Sequence, residues 1–479
     1  MLYRDMDRKS GAFEAGTSPI WIAAAAIAVL LCLRWPIVLA AICGFAVIAT
    51  VLWGARYTRH HVKWLVLPLL LNEALASVSA IDDSIRPVLR YSLLALFCIP
   101  FLPNAFKSGL LKQGGFRLYV IYFIWGGITV IYSIYPFYSL GRVSSAALLL
   151  TAIVAVTEKI DSDEAIYDLI KIFWIGSAII MAVLAASVAL PSDMTWKIDD
   201  NGMFRFAGIF NSPNQIGELM LTTVASGAMW WPAASKRMRW LIAASIALAI
   251  TFDVMADSRS PFIALSIGLF LVAITRYGFR AIATASALLI VGFVVFHLLE
   301  GSRDYVTRGD VSSLTGRTEI WKYVVHTIKE RPLTGWGFEV EGEIFQNRYF
   351  PLWEQIWNEG PRSSLHNGYF SRAIGVGIPA ALLWIFLSVR SLGFAIFNRS
   401  ATKVLRNAAL IAAVPVLILN MVESTAGDCR YSVGLLMAIV WSLSEKARLG
   451  HIAATKGGVR DRLLIPQDQP IVKRRLQAV

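Results

Sequence analysis

Apolar stretches separated by short polar gaps run along most of the chain. They lie at about residues 20–33, 36–53, 64–80, 88–103, 118–134, 142–157, 170–190, 213–231, 240–256, 260–275, 281–298, 367–389, 407–423 and 430–445. Most come close to the roughly 17 to 25 residues that a helix needs to cross a bilayer. The first two are separated only by Arg34-Trp35-Pro36, so we expect roughly 12 to 14 transmembrane helices. Because a β-barrel would show shorter segments of alternating polarity, the pattern predicts an all-α, polytopic helical membrane protein.

The polar gaps alternate in charge along the chain. Basic residues collect in every second gap, for example at 107–117, 236–239 and 399–406. Such alternation is typical of cytoplasmic loops and sets the orientation of a membrane protein. The net charge of +13 is therefore interpreted as an orienting charge, and we expect no binding of nucleic acid. Both termini are expected inside, and the gap at 299–366 is expected outside.

The composition agrees with this class and suggests four regions. Hydrophobic residues make up 56% of the chain and charged residues 16%, compared with about 25% charged in soluble domains. We expect N-terminal transmembrane helices at 1–298, a large external loop at 299–366, C-terminal transmembrane helices at 367–446 and a basic cytoplasmic tail at 447–479. Such a tail would be attracted to anionic membrane lipids.

The external gap from about Leu299 to His366 is long for a multi-pass membrane protein. Loops of that length usually serve binding or chemistry. Within the gap, the apolar spacing from Thr315 to Glu330 predicts a helix that ends before Pro332. Its expected apolar face consists of Ile320, Trp321, Val324, Val325 and Ile328. We expect the helix to lie at the outer membrane surface, with this face on other helices or on lipid.

Five charged or titratable positions fall on the predicted outer face: Arg205, Arg259, Arg317, His366 and Arg372. Charged side chains inside a membrane or at the mouth of a membrane protein are energetically costly and usually functional. A guanidinium group binds phosphate oxygens in pairs and keeps its charge, so convergent arginines could neutralise a leaving diphosphate. Arg317 is expected in the first turn of a helix, where backbone N–H groups also favour an anion. His366 could accept the proton of an attacking sugar hydroxyl.

Some candidates have a second interpretation. Arg372 could be a helix-end charge and not a ligand, and Trp336 could be an interfacial tryptophan and not a platform for a sugar ring. Asn214 and Asn367 are further candidates for sugar contacts. No carboxylate cluster and no set of His and Cys residues has metal-ligand spacing. We therefore expect no metal and no cofactor.

Five short motifs occur in order along the second half of the chain. They are Gly208-Ile209-Phe210-Asn211-Ser212-Pro213-Asn214, Ser258-Arg259, Leu314-Thr315-Gly316-Arg317-Thr318-Glu319-Ile320-Trp321, Arg331-Pro332-Leu333-Thr334-Gly335-Trp336-Gly337 and His366-Asn367-Gly368-Tyr369. This set resembles the O-antigen ligase/polysaccharide polymerase family of bacterial inner membranes. The Thr-Gly-Arg-Thr-x-x-Trp version is most similar to the exopolysaccharide polymerase branch. The resemblance covers about Arg205 to Gly377.

The resemblance implies an all-helical membrane glycosyltransferase fold of the type C kind, with its active site facing the periplasm. Such enzymes use sugars carried on undecaprenyl diphosphate and are thought to need no metal. The arginines that match Arg205, Arg259 and Arg317 are expected near the diphosphate, with Arg372 as a further candidate. The histidine that matches His366 is expected near the acceptor hydroxyl.

The leading hypothesis is an exopolysaccharide or O-antigen polymerase that adds glycan to the terminal sugar of a lipid-linked repeat unit. An O-antigen ligase, which transfers the glycan to a lipid A-core acceptor, has the same donor and the same chemistry and stays open. A transporter or flippase of lipid-linked sugars is a third possibility, although internal repeats, which transporters usually carry, are not visible in this sequence. A chain-length regulator and a flippase are candidate partners.

Overall fold

A computed structural model describes residues 62–75, 78, 85–198, 204–280, 282–284, 317–348, 365–423 and 432–450. Its helices are α1 (Val66–Leu75), α2 (Ile85–Cys98), α3 (Leu102–Lys107), α4 (Gly114–Thr129), α5 (Pro136–Glu158), α6 (Asp163–Ser187), α7 (Ser192–Thr195), α8 (Asn214–Trp230), α9 (Lys236–Ala256), α10 (Arg259–Tyr277), α11 (Arg317–Glu330), α12 (Glu341–Arg348), α13 (Gly368–Val376), α14 (Ile378–Phe397), α15 (Lys403–Ala408), α16 (Val414–Leu419) and α17 (Ser432–Arg448). Two short antiparallel strands, β1 (Trp196–Ile198) and β2 (Phe204–Phe206), form a ribbon between α7 and α8.

The prediction of an all-α, multi-pass membrane protein is confirmed. Within the described ranges, seven helical stretches are long and apolar enough to cross a bilayer: Leu89–Lys107, Gly114–Tyr132, Pro136–Glu158, Asp163–Ser187, Lys236–Ala256, Arg259–Tyr277 and Ile378–Phe397. The predicted spans at 20–33 and 36–53 and nearly all of 281–298 lie outside the described residues. The total of 12 to 14 spans therefore stays a prediction.

Helix α8 is the centre of the bundle and begins at the candidate residue Asn214. Of its 17 residues, 14 are buried, and it packs against α6, α9, α10 and α17. Its buried hydroxyls bind carbonyls one turn earlier, as Thr222 does with Glu218 at 3.0 Å, and Thr222 also meets Ser432 of α17 at 2.9 Å. Buried polar groups are usually hydrogen-bonded, and here the contact between Thr222 and Ser432 ties α8 to α17.

The predicted apolar run at 367–389 is not one helix. It breaks at Gly377, whose φ of +83° ends α13, and α14 starts with proline in its first turn. The motif at 331–337 crosses this break, where Trp336 N donates to Ile374 O at 2.8 Å and Ile378 N donates to Pro332 O at 2.8 Å. A Cβ atom on Gly335 would lie 2.4 Å from Gly375 O. Glycine is required there because the two backbones touch.

The surface helix of the large loop is described from Arg317 and ends at Glu330, as predicted; Thr315 and Gly316, at its predicted start, lie outside the described residues. Ile320 and Val324 are buried, with Trp321 and Ile328 packed beside them, against a cluster contributed by α12 and α13. The apolar face therefore lies on protein. Val325, expected on the same apolar face, is 41% exposed and does not pack on this cluster, whereas Thr327 is buried. The helix presents a narrower stripe than the five apolar positions suggested.

Candidate functional site

Several element ends meet around the start of α8. They are strand β2, the turn between α9 and α10, the residues just before α13, and the turn that follows α16. The segment around α16 is irregular: a π-helical turn at Ala409–Ala413 leads into α16, and α16 stops at Leu419 before the turn at 420–423. Helix ends expose unpaired backbone groups, and π-turns are frequent near functional sites.

Arg205 lies in β2, opposite Lys197 of β1. Its Nε donates to Ala256 O at 2.8 Å, and one terminal nitrogen donates to Asp257 O at 3.2 Å and to Asn214 Oδ1 at 2.9 Å. The guanidinium therefore caps the end of α9, where the helix dipole favours a cation, and it reaches the first residue of α8.

Arg259 is the first residue of α10 and lies directly beside this cap. Its Nε is 3.1 Å from Asp257 Oδ1, and about a third of its side chain is exposed (32%). Asp257 has a φ of +48°, a conformation that non-glycine residues adopt rarely. The turn that Arg205 and Arg259 share with Asp257 therefore has a strained backbone and carries two cations at one point.

His366 joins the same group of side chains through a residue that the sequence analysis did not single out, Glu423. His366 Nδ1 lies 3.0 Å from Glu423 Oε2, and Asn214 Nδ2 donates to Glu423 Oε1 at 3.2 Å. Since Asn214 Oδ1 also accepts from Arg205, one chain of hydrogen bonds links Arg205, Asn214, Glu423 and His366. We call these four residues the His366 network.

The backbone around His366 is held on the 420–423 turn. Gly368 N donates to Asn420 O at 2.9 Å and to Glu423 O at 3.2 Å. Asn367 caps α13, since its Oδ1 accepts from the N–H groups of Tyr369 and Phe370, and its Nδ2 donates to the carbonyl of Met421 at 2.9 Å. The amide of Asn367 is thus used within the protein, and its predicted contact with sugar stays a prediction.

Arg372 belongs to a different cluster. It is only 5% exposed, its terminal nitrogen lies 3.1 Å from the hydroxyl of Tyr122 and 3.5 Å from Glu339 Oε1, and its guanidinium lies near the rings of Trp384 and Phe338. None of these contacts is with a residue of the His366 network. The assignment of Arg372 to the diphosphate has no support from these contacts and stays a prediction.

Arg317 and Trp336 lie near the two ends of α11. Arg317 starts α11 one turn before Trp321, whose Nε1 donates to Leu365 O at 3.2 Å, next to His366. The beginning of α11 therefore lies beside the segment that carries the histidine. Trp336 donates its Nε1 to Thr327 O at 3.0 Å, and the Arg331 guanidinium lies 4.1 Å from its ring centroid. That face of the indole is occupied by the protein.

Backbone strain marks the same places. Across the described part of the chain, the non-glycine residues with positive φ are Asp257, Glu339 and His366. Asp257 contacts Arg205 and Arg259, Glu339 contacts Arg372, and His366 contacts Glu423. Such strain persists only where the surroundings hold it, and it concentrates at functional sites. Over the same residues, no three His, Cys, Asp or Glu side chains form a group that could hold a metal ion.

Glu423 could have been found from the sequence. It is a carboxylate at the last position of the apolar run at 407–423, and an acidic residue at the end of a span is a functional candidate by default. Asn420 and Asp257 carry weaker signals, since short polar residues in turns usually serve the backbone.

A family comparison covers part of this region. Residues 244–385 match the family model for O-antigen ligase. The family resemblance predicted from the motifs is thereby confirmed. The matched O-antigen ligase region contains Arg259, Arg317, Trp336, His366 and Arg372; Arg205, Asn214 and Glu423 lie outside it. A comparison with curated protein sequences gave no match. The match indicates a glycosyltransferase-like membrane enzyme with ligase or polymerase activity.

Proposed function

We propose that this chain is a polysaccharide polymerase of the bacterial inner membrane, with its site at the periplasmic side. It would transfer a glycan from undecaprenyl diphosphate to the terminal sugar hydroxyl of a second lipid-linked repeat unit. The observation that carries this proposal is the His366 network. It holds a histidine and an arginine in one hydrogen-bonded chain, as acceptor activation and donor binding would require.

His366 supplies the base. The acceptor oxygen attacks the anomeric carbon of the donor sugar and forms the new C–O bond. The bond between that carbon and the diphosphate oxygen breaks, and its electron pair leaves with the undecaprenyl diphosphate. The hydroxyl proton goes to His366. A base must lie within hydrogen-bond reach of the proton that it takes, and His366, about a quarter exposed (24%), is accessible to a substrate.

Arg205, Arg259 and Arg317 stabilise the leaving diphosphate. Developing negative charge in a water-poor site is stabilised best by cations that are already oriented. Arg205 is oriented by the end of α9, and Arg259 is held by Asp257. Arg317 adds the N-terminus of α11, which is tied to the His366 segment through Trp321. A phosphate group of the donor would replace Asp257 as the partner of the Arg259 guanidinium.

The test uses purified protein in lipid with one synthetic repeat unit on undecaprenyl diphosphate, and the products are separated on a gel. A ladder of glycan sizes supports the polymerase. We expect Arg259→Ala to remove the ladder. Arg276→Ala is the matched control, because Arg276 is an exposed arginine near the other end of the same helix, and it should leave the ladder intact. A ladder that survives Arg259→Ala would contradict the assigned roles.

The second candidate is a ligase, and the description of the matched family, O-antigen ligase, favours it. Donor chemistry and leaving group are the same in both reactions, so the acceptor decides. If the single repeat unit gives no ladder but glycan moves onto added lipid A-core, the protein is a ligase. If no bond forms with either acceptor, the glycosyltransferase proposal fails and lipid-linked sugar transport becomes the better interpretation.

A further inference from the structure

We propose that Glu423 is a positioning residue that orients His366 as the base and sets its distance from the donor arginine. The inference rests on the proposed function, because it names the residue that makes His366 effective in that reaction. Glu423 lies outside the segment that matches the O-antigen ligase family, and the motifs of the chain do not include it.

The position of Glu423 is fixed by hydrogen bonds of its backbone. Glu423 N donates to Leu419 O at 2.8 Å, and Glu423 O accepts from Gly368 N at 3.2 Å, two residues after the histidine. A Cβ atom on Gly368 would lie within 2 Å of Asn420 Oδ1 (1.9 Å). The backbone at Gly368 therefore packs directly against the side chain of Asn420. Glu423 itself is only 8% exposed.

The hydrogen bonds run in one consistent direction. An ionised carboxylate only accepts hydrogen bonds, so Glu423 Oε1 accepts from Asn214 and Oε2 accepts from His366 Nδ1–H. A proton on Nδ1 places the basic lone pair of the imidazole on Nε2. A carboxylate that holds a histidine in the correct tautomer, and stabilises the imidazolium that forms, is the role of the third member in serine-protease triads.

Asn214 makes the network more than a pair. Its amide accepts from Arg205 and donates to Glu423. Asn214 therefore links the guanidinium of Arg205 to the carboxylate of Glu423. An aspartate at 214 could not donate to Glu423. The side chain of Asn214 therefore holds the base and the donor arginine at a fixed separation, with α8 as the rigid support.

The first experiment compares Glu423→Gln with Glu330→Gln, using the polymerisation assay above or, if the protein proves a ligase, transfer to lipid A-core. Glu330 is the matched control because it also pairs with a histidine, His326, at 3.3 Å on an exposed helix face. We expect Glu423→Gln to lower kcat by about 10²-fold to 10⁴-fold with little change in KM for the donor. Glu330→Gln should stay near wild type. Wild-type kcat in Glu423→Gln would overturn the inference.

The second readout is the tautomer of His366, which a merely structural glutamate would not control. Nitrogen NMR on protein labelled at its six histidines, with His366→Gln to assign the signal, should show a proton on Nδ1 in the wild type. The Nδ1 signal should change in Glu423→Gln and stay unchanged in Glu330→Gln. An unchanged signal would overturn the inference even if kcat falls. This readout does not need activity, so it also separates failure of the inference from failure of the proposed function.

A donor–acceptor exchange tests the link to Asn214. Asn214→Asp alone sets two carboxylates against each other and should lower kcat at least tenfold. Adding Glu423→Gln restores a hydrogen bond, because the new amide can donate to residue 214 and still accept from His366. We expect the double variant to exceed Asn214→Asp in kcat, a coupling that independent sites do not show. Losses that simply multiply would overturn the link through Asn214.

Discussion

Two buried glutamates, Glu423 in the turn after α16 and Glu445 in α17, bind very different partners. Glu423 precedes this helix and contacts an amide and an imidazole. Glu445 lies in its last turn and is fully buried. It accepts from Arg390, Arg448, Ser391 and the backbone of Gly115. We call Glu445 and these partners the Glu445 cluster.

The difference between the two glutamates separates stability from chemistry. The Glu445 cluster joins α4, α14 and α17 through permanent cations, and the neighbouring Lys446 donates to three carbonyls at the end of α5. The partners of Glu445 are guanidinium groups, a hydroxyl and a backbone amide, all of which donate to it. The His366 network instead pairs its carboxylate with an imidazole. A carboxylate among arginines fastens helices, whereas a carboxylate beside a histidine can serve proton transfer.

The largest expected effect is at the histidine. We expect His366→Ala to lower kcat by about 10²-fold to 10⁴-fold, the usual contribution of a general base, while the melting temperature changes little. His326→Ala is the matched control, because that histidine is two-thirds exposed (67%) on α11. Single-turnover rates and thermal denaturation in detergent would measure the two quantities. A wild-type rate in His366→Ala would contradict the assignment of proton transfer to the His366 network.

The opposite behaviour is expected at Glu445. Glu445→Ala leaves two arginines near a buried site without their carboxylate, which should cost about 3 kcal/mol of folding free energy. The arginines are about a quarter exposed, at 26% and 28%, so the loss should lie at the lower end of such values. The fraction of molecules that remain folded should keep the wild-type kcat. A fall in kcat per folded molecule would show that this cluster also shapes the site.

Sequence patterns predicted the scaffold well and the pairings poorly. The run at 142–157 appears as Pro136–Glu158, and the surface helix ends at Glu330 as expected. Period and composition determine such elements. The same patterns placed a single helix at 367–389, since the conformation of Gly377 depends on the loop that packs over it. They also grouped Val325 with Ile320 and Val324 on one apolar face, although it is exposed while the other two are buried, because apolarity does not distinguish lipid from protein as a neighbour.

The candidate site shows the same limit. Residue type and membrane side were enough to select Arg205, Arg259 and His366, and the structure gathers Arg205 and His366 in one network with Arg259 beside it. The partner Glu423 is 57 positions from His366. Such a pairing follows from how α13 and α16 pack and not from local spacing. The net charge of +13 was interpreted as an orienting charge, yet one basic residue, Arg390, pairs with the buried Glu445.

A substitution at Gly335 tests whether the His366 network depends on the backbone contact beside Gly377. Gly335→Ala places a Cβ 2.4 Å from the backbone of Gly375 at a φ of +69°, which we expect to cost about 2 kcal/mol. Because α13 carries His366 just before its start, kcat should fall as well, unlike in Glu445→Ala. Gly393→Ala is the control, since a Cβ there meets nothing within 4 Å and alanine favours a helix. Loss of stability with an unchanged kcat would show that the break at Gly377 does not support the site.

The smallest expected effect decides to which kind of cluster Arg372 belongs. Tyr122→Phe removes the hydroxyl that contacts Arg372 at 3.1 Å and should cost about 1 kcal/mol, the net value of one hydrogen bond. If the cluster is structural, like that of Glu445, kcat and KM for the donor stay at wild-type values. A raised KM with unchanged stability would instead support diphosphate binding by Arg372. Tyr277→Phe is the control, because that ring is exposed. The contacts of Arg372 with Tyr122, Glu339 and two aromatic rings favour the structural outcome.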